Sequence, residues 1–345
     1  MTATALQASD LTYREALRHA LASELERDPD VLLLGEDIGA YGGIYKVTDG
    51  LQRRFGAHRV LDTPISESGF VGAAIGAAMT GKRPVVELMF MDFSLVAADQ
   101  LLNQAAKMRY LSGDQWQVPL TVRTQQGVGA GTAAQHSQCL EALFMHVPGF
   151  AVALPAFPAD AKGLLSTAIR MDSPALVIEH KTLYGQCGPV PDQAFEIPFG
   201  QANVVRRGSD VTLVSYSRSV HTCLDAARAL AADGISAEVI DLRTLVPLDL
   251  TTVLESVTRT QRLAVVHEAH RNCGPGAEIA ARVMEQAWDI LRAPVHRVCG
   301  LDIPVPYAEP LEAAWLPGAE DVRRAAHKLM DNRPGERGGR DDVHT

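Results

Sequence analysis

The feature that most constrains the fold of this chain is a regular alternation of short, β-rich apolar runs with longer helical patterns. In the first half, strands are expected at residues 31–34, 84–89, 120–124, 151–154 and 175–179, and the main helices at 69–79, 95–110 and 159–170. Strict alternation of strand and helix predicts a parallel sheet that is covered by helices on both faces.

The second half repeats this alternation after a break. Residues 184–210, "YGQCGPVPDQAFEIPFGQANVVRRGSD", are rich in Pro and Gly and lack periodicity, which predicts a connection between domains. Further strands are expected at residues 211–216, 236–242, 262–269 and 295–299, and further helices at 220–232, 248–257 and 277–287. The predicted fold class is therefore α/β, with two doubly wound domains.

The domain limits follow from these patterns. A first domain is expected over residues 1–185, a linker over 186–209 and a second domain over 210–333. Residues 334–345 are expected to be a disordered tail, because "RPGERGGRDDVHT" has almost nothing to bury.

Composition narrows the function class. A chain of 345 residues with 47% hydrophobic residues can build two cores, and a net charge of −9 argues against a nucleic-acid partner. The apolar runs are too short to span a bilayer, and the N-terminus does not resemble a secretory signal. Five scattered cysteines without a C-x-x-C pair suit a reduced compartment, so a cytoplasmic location is expected.

Ligands of open parallel sheets bind beyond the carboxyl ends of the strands, and this rule selects four loops. They are "GEDIGAYGG", "FMDF" and "QQGVGAGTAAQHSQ" in the first half and "HEAHRNCGPG" in the second. The glycines of "GVGAG" can expose N–H groups to a phosphate, but their spacing matches no phosphate-binding motif, and a flexible loop is favoured. His267, His270 and Cys273 lack a fourth zinc ligand, so a polar loop lining is favoured over a metal site.

Glu67 is unusual because it opens a segment of small apolar residues, "ESGFVGAAIGAAM", that predicts a closely packed helix. Charged carboxylates are rarely buried without a partner. Such a residue can simply satisfy the free N–H groups at a helix start. A lone histidine such as His136 is likewise more often structural than functional. Only a wider pattern changes these interpretations.

That pattern is present. The segments "LLLGEDIGAYGGIYKVTDGLQRRFG", "VLDTPISESGFVGAAIGAAMTGKRPVVE", "AQHSQCLEALFMHVPG" and "VIDLRTLVPLD" occur in this order. Together they resemble the beta subunit of the thiamine-diphosphate-dependent component of pyruvate, branched-chain 2-oxo acid and acetoin dehydrogenase complexes. The resemblance covers nearly the whole chain, from about residue 11 to about residue 329. It implies a transketolase-like pyrimidine-binding domain followed by a transketolase C-terminal domain.

The resemblance also implies residue roles. Glu67 matches a glutamate that hydrogen-bonds the cofactor's aminopyrimidine ring and so promotes loss of the thiazolium proton, a contact strengthened in an apolar setting. Phe93 matches an aromatic that stacks on that ring, with Met89 lining the same pocket. His136 matches a histidine that faces the substrate and assists acyl transfer to lipoamide, and Glu36 matches an acidic residue near the thiazolium.

The family also has a structural potassium site built largely of backbone oxygens. The matching positions in this chain are Leu120, Ala168, Ile169, Met171 and Ser173. Met171 and Ser173 stand where some members have Asp and Asn. Potassium at these positions would therefore have to be bound by backbone carbonyl oxygens.

One expected motif is missing. Thiamine enzymes grip the diphosphate through magnesium with a Gly-Asp-Gly motif, and the sequence contains none. The resemblance therefore implies a separate alpha subunit that holds magnesium and the diphosphate, in a heterotetramer of two alpha and two beta chains. It further implies docking to a lipoyl acyltransferase core. The alternatives are a stand-alone transketolase-like synthase and a catalytically silent scaffold for an alpha subunit, which the joint presence of Glu67, Phe93 and His136 disfavours.

Overall fold

A computed structural model describes residues 8–331, so the predicted tail at 334–345 lies outside the described residues. The strands are β1 (Ala8–Thr12), β2 (Val31–Gly35), β3 (Val60–Asp62), β4 (Arg83–Leu88), β5 (Thr121–Gln126), β6 (Ala151–Ala153), β7 (Ala175–His180), β8 (Cys187–Pro191), β9 (Asn203–Arg206), β10 (Val211–Ser215), β11 (Ala237–Asp241), β12 (Thr244–Val246), β13 (Leu263–His270) and β14 (His296–Gly300). The α-helices are α1 (Tyr13–Arg27), α2 (Leu51–Phe55), α3 (Glu67–Met79), α4 (Ala106–Leu111), α5 (Glu141–His146), α6 (Pro158–Arg170), α7 (Ser219–Ala232), α8 (Leu250–Thr260), α9 (Pro275–Ala287), α10 (Glu309–Trp315) and α11 (Ala319–Asp331).

The first domain is built on a seven-stranded sheet in the order β12-β6-β7-β5-β4-β2-β3. All neighbours are parallel except β12, which runs antiparallel to β6. Strands β5 and β7 are buried along their whole length, as expected for a parallel sheet covered on both faces. Helices α1 and α6 contribute to the core on one face, and α3 contributes to the core on the other.

The second domain repeats the plan with five strands in the order β14-β13-β10-β11-β9. The first four are parallel, and β9 is an antiparallel edge strand. The predicted fold class of two doubly wound α/β domains is confirmed.

The segment expected to be an aperiodic linker contains two strands. Strand β8 pairs with β1 beside the first sheet, and β9 joins the second sheet. Strand β12 returns from the second half of the chain to the edge of the first sheet. The two domains are also joined by one continuous apolar cluster, in which Phe144 and Leu154 of the first domain share a core with Val214 and Ile240 of the second.

The helix expected over residues 95–110 differs from the prediction. Residues Met91–Leu95 form a 3₁₀ turn, Asp99–Ala105 form a wide π-helical turn, and α4 then continues to Leu111. The side chain of Gln100 packs close to Gly72 of α3, where an added Cβ would lie 3.1 Å from the Gln100 Oε1 atom. Glycine at this position therefore lets the two helices approach closely.

Among the described residues, none of the helices combines the length and the apolar character that a bilayer crossing requires.

Candidate active site

Helix α3 begins at Glu67, two residues earlier than the sequence pattern predicts. The side chain is only 7% exposed although it lies in the first helical turn, where free N–H groups and the helix dipole favour a carboxylate. The next residue, Ser68, donates a hydrogen bond to the carbonyl oxygen of Val96 at 2.5 Å. This bond ties the start of α3 to the turn that carries Phe93.

Glu36 directly follows β2, at the carboxyl end of the strand that lies between β3 and β4 in the sheet. Its Oε1 atom is buried and has no hydrogen-bond partner among residues 8–331. Burial raises the pKa of Glu36, and the neighbouring charges of Glu67 and Asp37 raise it further. The two carboxylates that the sequence singled out, Glu36 and Glu67, therefore lie close enough to influence each other.

Three rings form a cluster beyond the carboxyl ends of β4 and β5. The ring centroids of Phe90 and Phe93 are 5.5 Å apart, and His136 lies 4.8 Å from Phe90 and 5.5 Å from Phe93. Met89 follows the last residue of β4 and is half-buried immediately before this cluster. The structure thus brings Phe93 and His136 together, as the sequence analysis expects, and adds Phe90, which it did not single out.

A buried lysine, Lys181, forms hydrogen bonds with the loop that carries His136. The Nζ atom of Lys181 donates to Thr132 Oγ1 at 2.7 Å and to the carbonyl oxygen of His136. Burial lowers the pKa of Lys181, and the nearby charge of Asp92 opposes that shift. Gly127 opens the loop with φ of +102°, and a Cβ there would lie 2.0 Å from the His180 ring. Only glycine allows this approach.

Acidic residues of both domains also fix the loop. Asp92, in the turn after β4, accepts hydrogen bonds from the backbone N–H and the side-chain amide of Gln138, at 3.3 and 2.8 Å. From the second domain, Glu312 of α10 accepts from the backbone N–H groups of Gly129 and Gly131. The N–H groups of Gly129 and Gly131 are thus bonded to a carboxylate of the same chain. This agrees with the sequence analysis, in which the spacing of the glycines did not favour phosphate binding.

Asp92, Lys181 and Glu312 were missed by sequence reasoning, for different reasons. Asp92 lies inside the quoted "FMDF" motif, and Lys181 follows the carboxyl end of β7, so the strand-end rule was able to select both. No sequence signal marks Glu312, because its contacts with the loop bridge more than 180 positions along the chain.

The predicted potassium positions already have hydrogen-bond partners. The carbonyl oxygens of Ile169 and Met171 accept from the Arg83 guanidinium at 3.3 and 3.1 Å, and the Ser173 hydroxyl accepts from Arg109 at 2.6 Å. The carbonyl oxygens of Leu120 and Ala168 accept from the backbone N–H groups of Ala175 and Met171, respectively. All five positions thus have an oxygen that already accepts a hydrogen bond, and potassium at these positions stays a prediction.

The alternative zinc ligands are engaged elsewhere. His267 donates from Nδ1 to the carbonyl oxygen of Ala269 and accepts at Nε2 from the Gly276 N–H. His270 donates to the carbonyl oxygen of Leu301. Within residues 8–331, no three or more His, Cys, Asp or Glu side chains are grouped so that they could hold a metal ion.

The side chains beyond the carboxyl ends of β2 and β4 suit an organic, nitrogen-containing ring. Glu67 and the orphaned Oε1 atom of Glu36 are acceptors in a largely apolar setting, where hydrogen bonds gain strength. Phe93 supplies an aromatic face in the turn that the Ser68–Val96 hydrogen bond ties to the start of α3. The residues present thus fit the aminopyrimidine and thiazolium portions of thiamine diphosphate.

Comparison with known families defines the class of protein first. The model of the "Transketolase, pyrimidine binding domain" matches residues 9–186, and that of the "Transketolase, C-terminal domain" matches residues 200–322. A solved structure entitled "Split gene transketolase, inactive beta4 tetramer" superposes with a TM-score of 0.78 at 24% identity, covering 94% of this chain and 99% of that one. The chain is a transketolase-type protein with both domains in the expected order.

Curated relatives then give the family. The "Acetoin:2,6-dichlorophenolindophenol oxidoreductase subunit beta" of Cupriavidus necator is 49% identical, over 94% of this chain and 98% of the relative. The "Pyruvate dehydrogenase E1 component subunit beta" of Rickettsia felis is 48% identical, over 92% and 98%, and that of Rhizobium meliloti is 49% identical, over 90% and 68%. The chain belongs to this family of dehydrogenase beta subunits, as the sequence analysis expected.

Proposed function

We propose that this chain supplies the pyrimidine half of a thiamine diphosphate site in a 2-oxo acid or acetoin dehydrogenase. The reaction is oxidative decarboxylation of a 2-oxo acid, or cleavage of acetoin, with transfer of the acyl group to lipoamide. The observation that carries the proposal is the meeting of Glu36, Glu67, Phe93 and His136 beyond adjacent strands of one sheet.

Bound thiamine diphosphate supplies a nucleophilic thiazolium carbon that attacks the substrate carbonyl. We assign to Glu67 the role of holding a proton at the aminopyrimidine ring nitrogen, since its side chain lies in the first turn of α3 and is shielded from water. Glu36 supports it as a second acidic group whose raised pKa favours the protonated form near neutral pH more than an exposed glutamate would. Phe93 and Met89 line the pocket of the ring.

His136 faces the reacting acyl group in this proposal. Its ring is fixed on two sides by Phe90 and Phe93, and its carbonyl oxygen accepts a hydrogen bond from Lys181. A histidine held in this way can hold or release a proton during acyl transfer to lipoamide.

The other half of the cofactor site comes from an alpha subunit, in a heterotetramer of two alpha and two beta chains. The support is a set of large hydrophobic side chains, close to Glu67 and Phe93 or in the loop that follows Glu36, that residues 8–331 leave exposed, with Ile65 84% exposed. The other large exposed hydrophobic residues of this part of the domain are Tyr41, Ile44, Leu95 and Val96. Because large exposed apolar surfaces commonly mark interaction sites, we assign these side chains to contact with the alpha subunit.

The alpha subunit would hold the magnesium ion and the diphosphate. The second domain would contribute to assembly and to docking on the lipoyl acyltransferase core, and the complex would work in the cytoplasm. Acetoin and pyruvate are the leading substrates, in line with the printed names of the relatives. A stand-alone synthase is disfavoured by the missing Gly-Asp-Gly motif, and a silent scaffold by the complete pyrimidine-side site.

Calorimetry of thiamine diphosphate binding tests the half-site directly. The chain would be measured alone and after co-expression with its alpha-type partner, and binding is expected only for the pair. Ile65→Asp should abolish pairing and binding, while Trp288→Ser, on an exposed residue of the second domain, should leave both intact. Tight binding by the chain alone would contradict the half-site, and absence of binding by the pair would favour the scaffold.

A further inference from the structure

A basic pocket lies on the second domain, between the edge strand β14 and the helices α10 and α11. It has a volume of about 290 Å³, and all of its lining residues belong to the second domain. Val298, Trp315 and Leu316 contribute an apolar wall. The basic and acidic residues that line it are Arg271, His296, Arg297, Asp321, Arg324 and Lys328.

Positive charge outweighs negative charge in this pocket. Three arginines and one lysine line it, and these side chains are charged at neutral pH. Asp321 is the one carboxylate among the lining residues, and it accepts from the Arg324 guanidinium and, at 2.8 Å, from the backbone N–H that precedes α11. Arg271, Arg297 and Lys328 form no ion pair within residues 8–331. Three cations therefore share one pocket without a carboxylate.

The three cations act on the same short stretch of β14. Burial lowers the pKa of His296, and the charges of Lys328 and Arg271 lower it further. Burial raises the pKa of Cys299 to about 11, and the charges of Arg297 and Arg271 oppose that shift. Side chains from the end of β13, from β14 and from α11 therefore meet around one space.

The groups around the pocket are largely fixed by backbone partners. Arg297 donates from Nη1 to the carbonyl oxygen of Arg271 at 2.9 Å, and the buried Trp315 indole donates to the carbonyl oxygen of Ile303 at 2.8 Å. The nearby carboxylate of Asp302 does not line the pocket and accepts from a backbone N–H at 3.0 Å. A guanidinium has five N–H donors, so Arg297 is held in place while most of its donors and its full charge face no acidic partner among the described residues.

We propose that this basic pocket binds a small soluble anion that carries a phosphate group, held by Arg271, Arg297 and Lys328. Planar guanidinium groups match pairs of phosphate oxygens, and the lysine ammonium adds a point charge. The volume lies at the lower end of small-molecule pockets, which suits a diphosphate or the phosphate ester of a small molecule. Trp315 and Leu316 offer an apolar surface to the remainder of such a ligand.

Extended anionic partners fit this pocket less well than a small molecule does. The chain has a net charge of −9, which repels a nucleic acid or an anionic membrane over most of its surface, whereas a small anion meets only the pocket. A carboxylate has two acceptor oxygens and a terminal phosphate has three, so a phosphate engages the three cations more completely. The pocket contains no residue of the first domain, so the proposal does not depend on the function proposed for that domain.

Calorimetry of the full chain with inorganic pyrophosphate, at constant ionic strength and without magnesium, tests the pocket. We expect saturable binding of one pyrophosphate per chain, and about tenfold weaker binding of malonate, which offers carboxylates in place of phosphate groups. Absence of pyrophosphate binding would overturn the proposal. Equal affinity for malonate would overturn the assignment to phosphate.

Variants assign the binding to the pocket. Lys328→Met and Arg297→Met should each weaken pyrophosphate binding about tenfold, the equivalent of one lost charge-assisted hydrogen bond, whereas Lys328→Arg should stay within about threefold. Lys328 is exposed, so its substitution leaves the core intact. The matched control is Arg292→Met, an exposed arginine of the same domain outside the pocket, which should change the affinity less than about twofold. Unchanged binding by both pocket variants would overturn the proposal.

Two further measurements separate the sources of the phosphate group. The chain should not co-sediment with vesicles that contain phosphatidic acid, and co-sedimentation that Lys328→Met abolishes would assign the pocket to a lipid headgroup and overturn a soluble ligand. Thiamine diphosphate also carries a diphosphate. Its binding to the chain alone through this pocket would be weakened by Lys328→Met, whereas its binding at the candidate active site would not, so failure of this proposal and failure of the proposed function are distinguishable.

Crystals of the wild-type protein soaked in tungstate, a phosphate mimic, give a readout that does not depend on any variant folding. Anomalous scattering should reveal tungsten between Arg297 and Lys328. A peak only outside the pocket, or no peak, would overturn the proposal.

Discussion

Two groups of polar residues near the carboxyl ends of the strands, one in each domain, differ in whether their buried atoms have hydrogen-bond partners. Beyond the strands of the first domain, Glu36 Oε1 and Asp92 Oδ2 are buried without a hydrogen bond. Near the carboxyl end of β13 in the second domain, both ring nitrogens of His267 are bonded, and Glu268 accepts three hydrogen bonds.

Under the proposed function, this difference distinguishes residues that would contact a ligand from residues that stabilise the fold. A buried polar atom without a partner costs free energy that a ligand can recover, whereas a satisfied one gains nothing from a ligand. Electrostatics agree, because burial and neighbouring acids raise the pKa of Glu36, while its partners lower that of Glu268 to about 2. Four experiments test this contrast.

The largest effect is expected at Glu67. Glu67→Gln should lower turnover of the reconstituted enzyme by about 10³-fold, because the proposed role of the residue is to hold the proton at the cofactor ring. The complex with the alpha subunit should still form, as judged by gel filtration. The control is Glu278→Gln, an exposed carboxylate in the first turn of α9, which should leave turnover unchanged. Near-normal turnover of Glu67→Gln would remove the residue from the mechanism.

A smaller loss is expected at His136. His136→Ala should slow acylation of lipoamide by about 10²-fold while cofactor binding by the pair is kept. Its counterpart is His270→Ala in the second domain, where the histidine already donates to the Leu301 carbonyl, and acylation should change less than about threefold. Single-turnover acylation measures both, and equal effects of the two substitutions would make His136 a structural residue.

Glu268 should affect stability rather than chemistry. Its pKa is about 2 in the folded state, below the ordinary value of 4.5, so its contribution is complete above pH 4.5 and lost as the pH falls toward 2. The shift corresponds to about 3 kcal/mol. Urea unfolding of wild type and Glu268→Gln should therefore differ most near neutral pH, and a difference that grows with acid would contradict the assignment.

The smallest effect is expected at Cys299, which donates a weak hydrogen bond to His267 Nε2 at 3.5 Å. Burial raises the pKa of its thiol to about 11, so the reactive thiolate is scarce at neutral pH. Iodoacetamide should label the exposed Cys187 and Cys273 but spare Cys299. Cys299→Ala should retain activity within about twofold. If the variant instead lost both activity and bound zinc, a metal site at this edge would have to be reconsidered.

Local sequence patterns predicted which strands and helices are present better than they predicted where these elements end or where the chain departs from regular structure. Every strand expected from the alternation is present, because a strand buried on both faces must be apolar and short. The π-helical turn over Asp99–Ala105 and the edge strand β12 were not predictable in this way, since they arise from packing against α3 and β6, respectively.

The sequence by itself determined the two doubly wound domains, the family and the identity of Glu67, Phe93 and His136 as candidates, because periodicity and motifs are local properties of the chain. The tertiary structure alone decided which polar groups have partners. Lys181 and Glu312 come to the His136 loop, and Lys328 comes to Arg271, from distant positions. Burial and pairing are properties of the folded neighbourhood, and they distinguish a satisfied charge from one that requires a ligand.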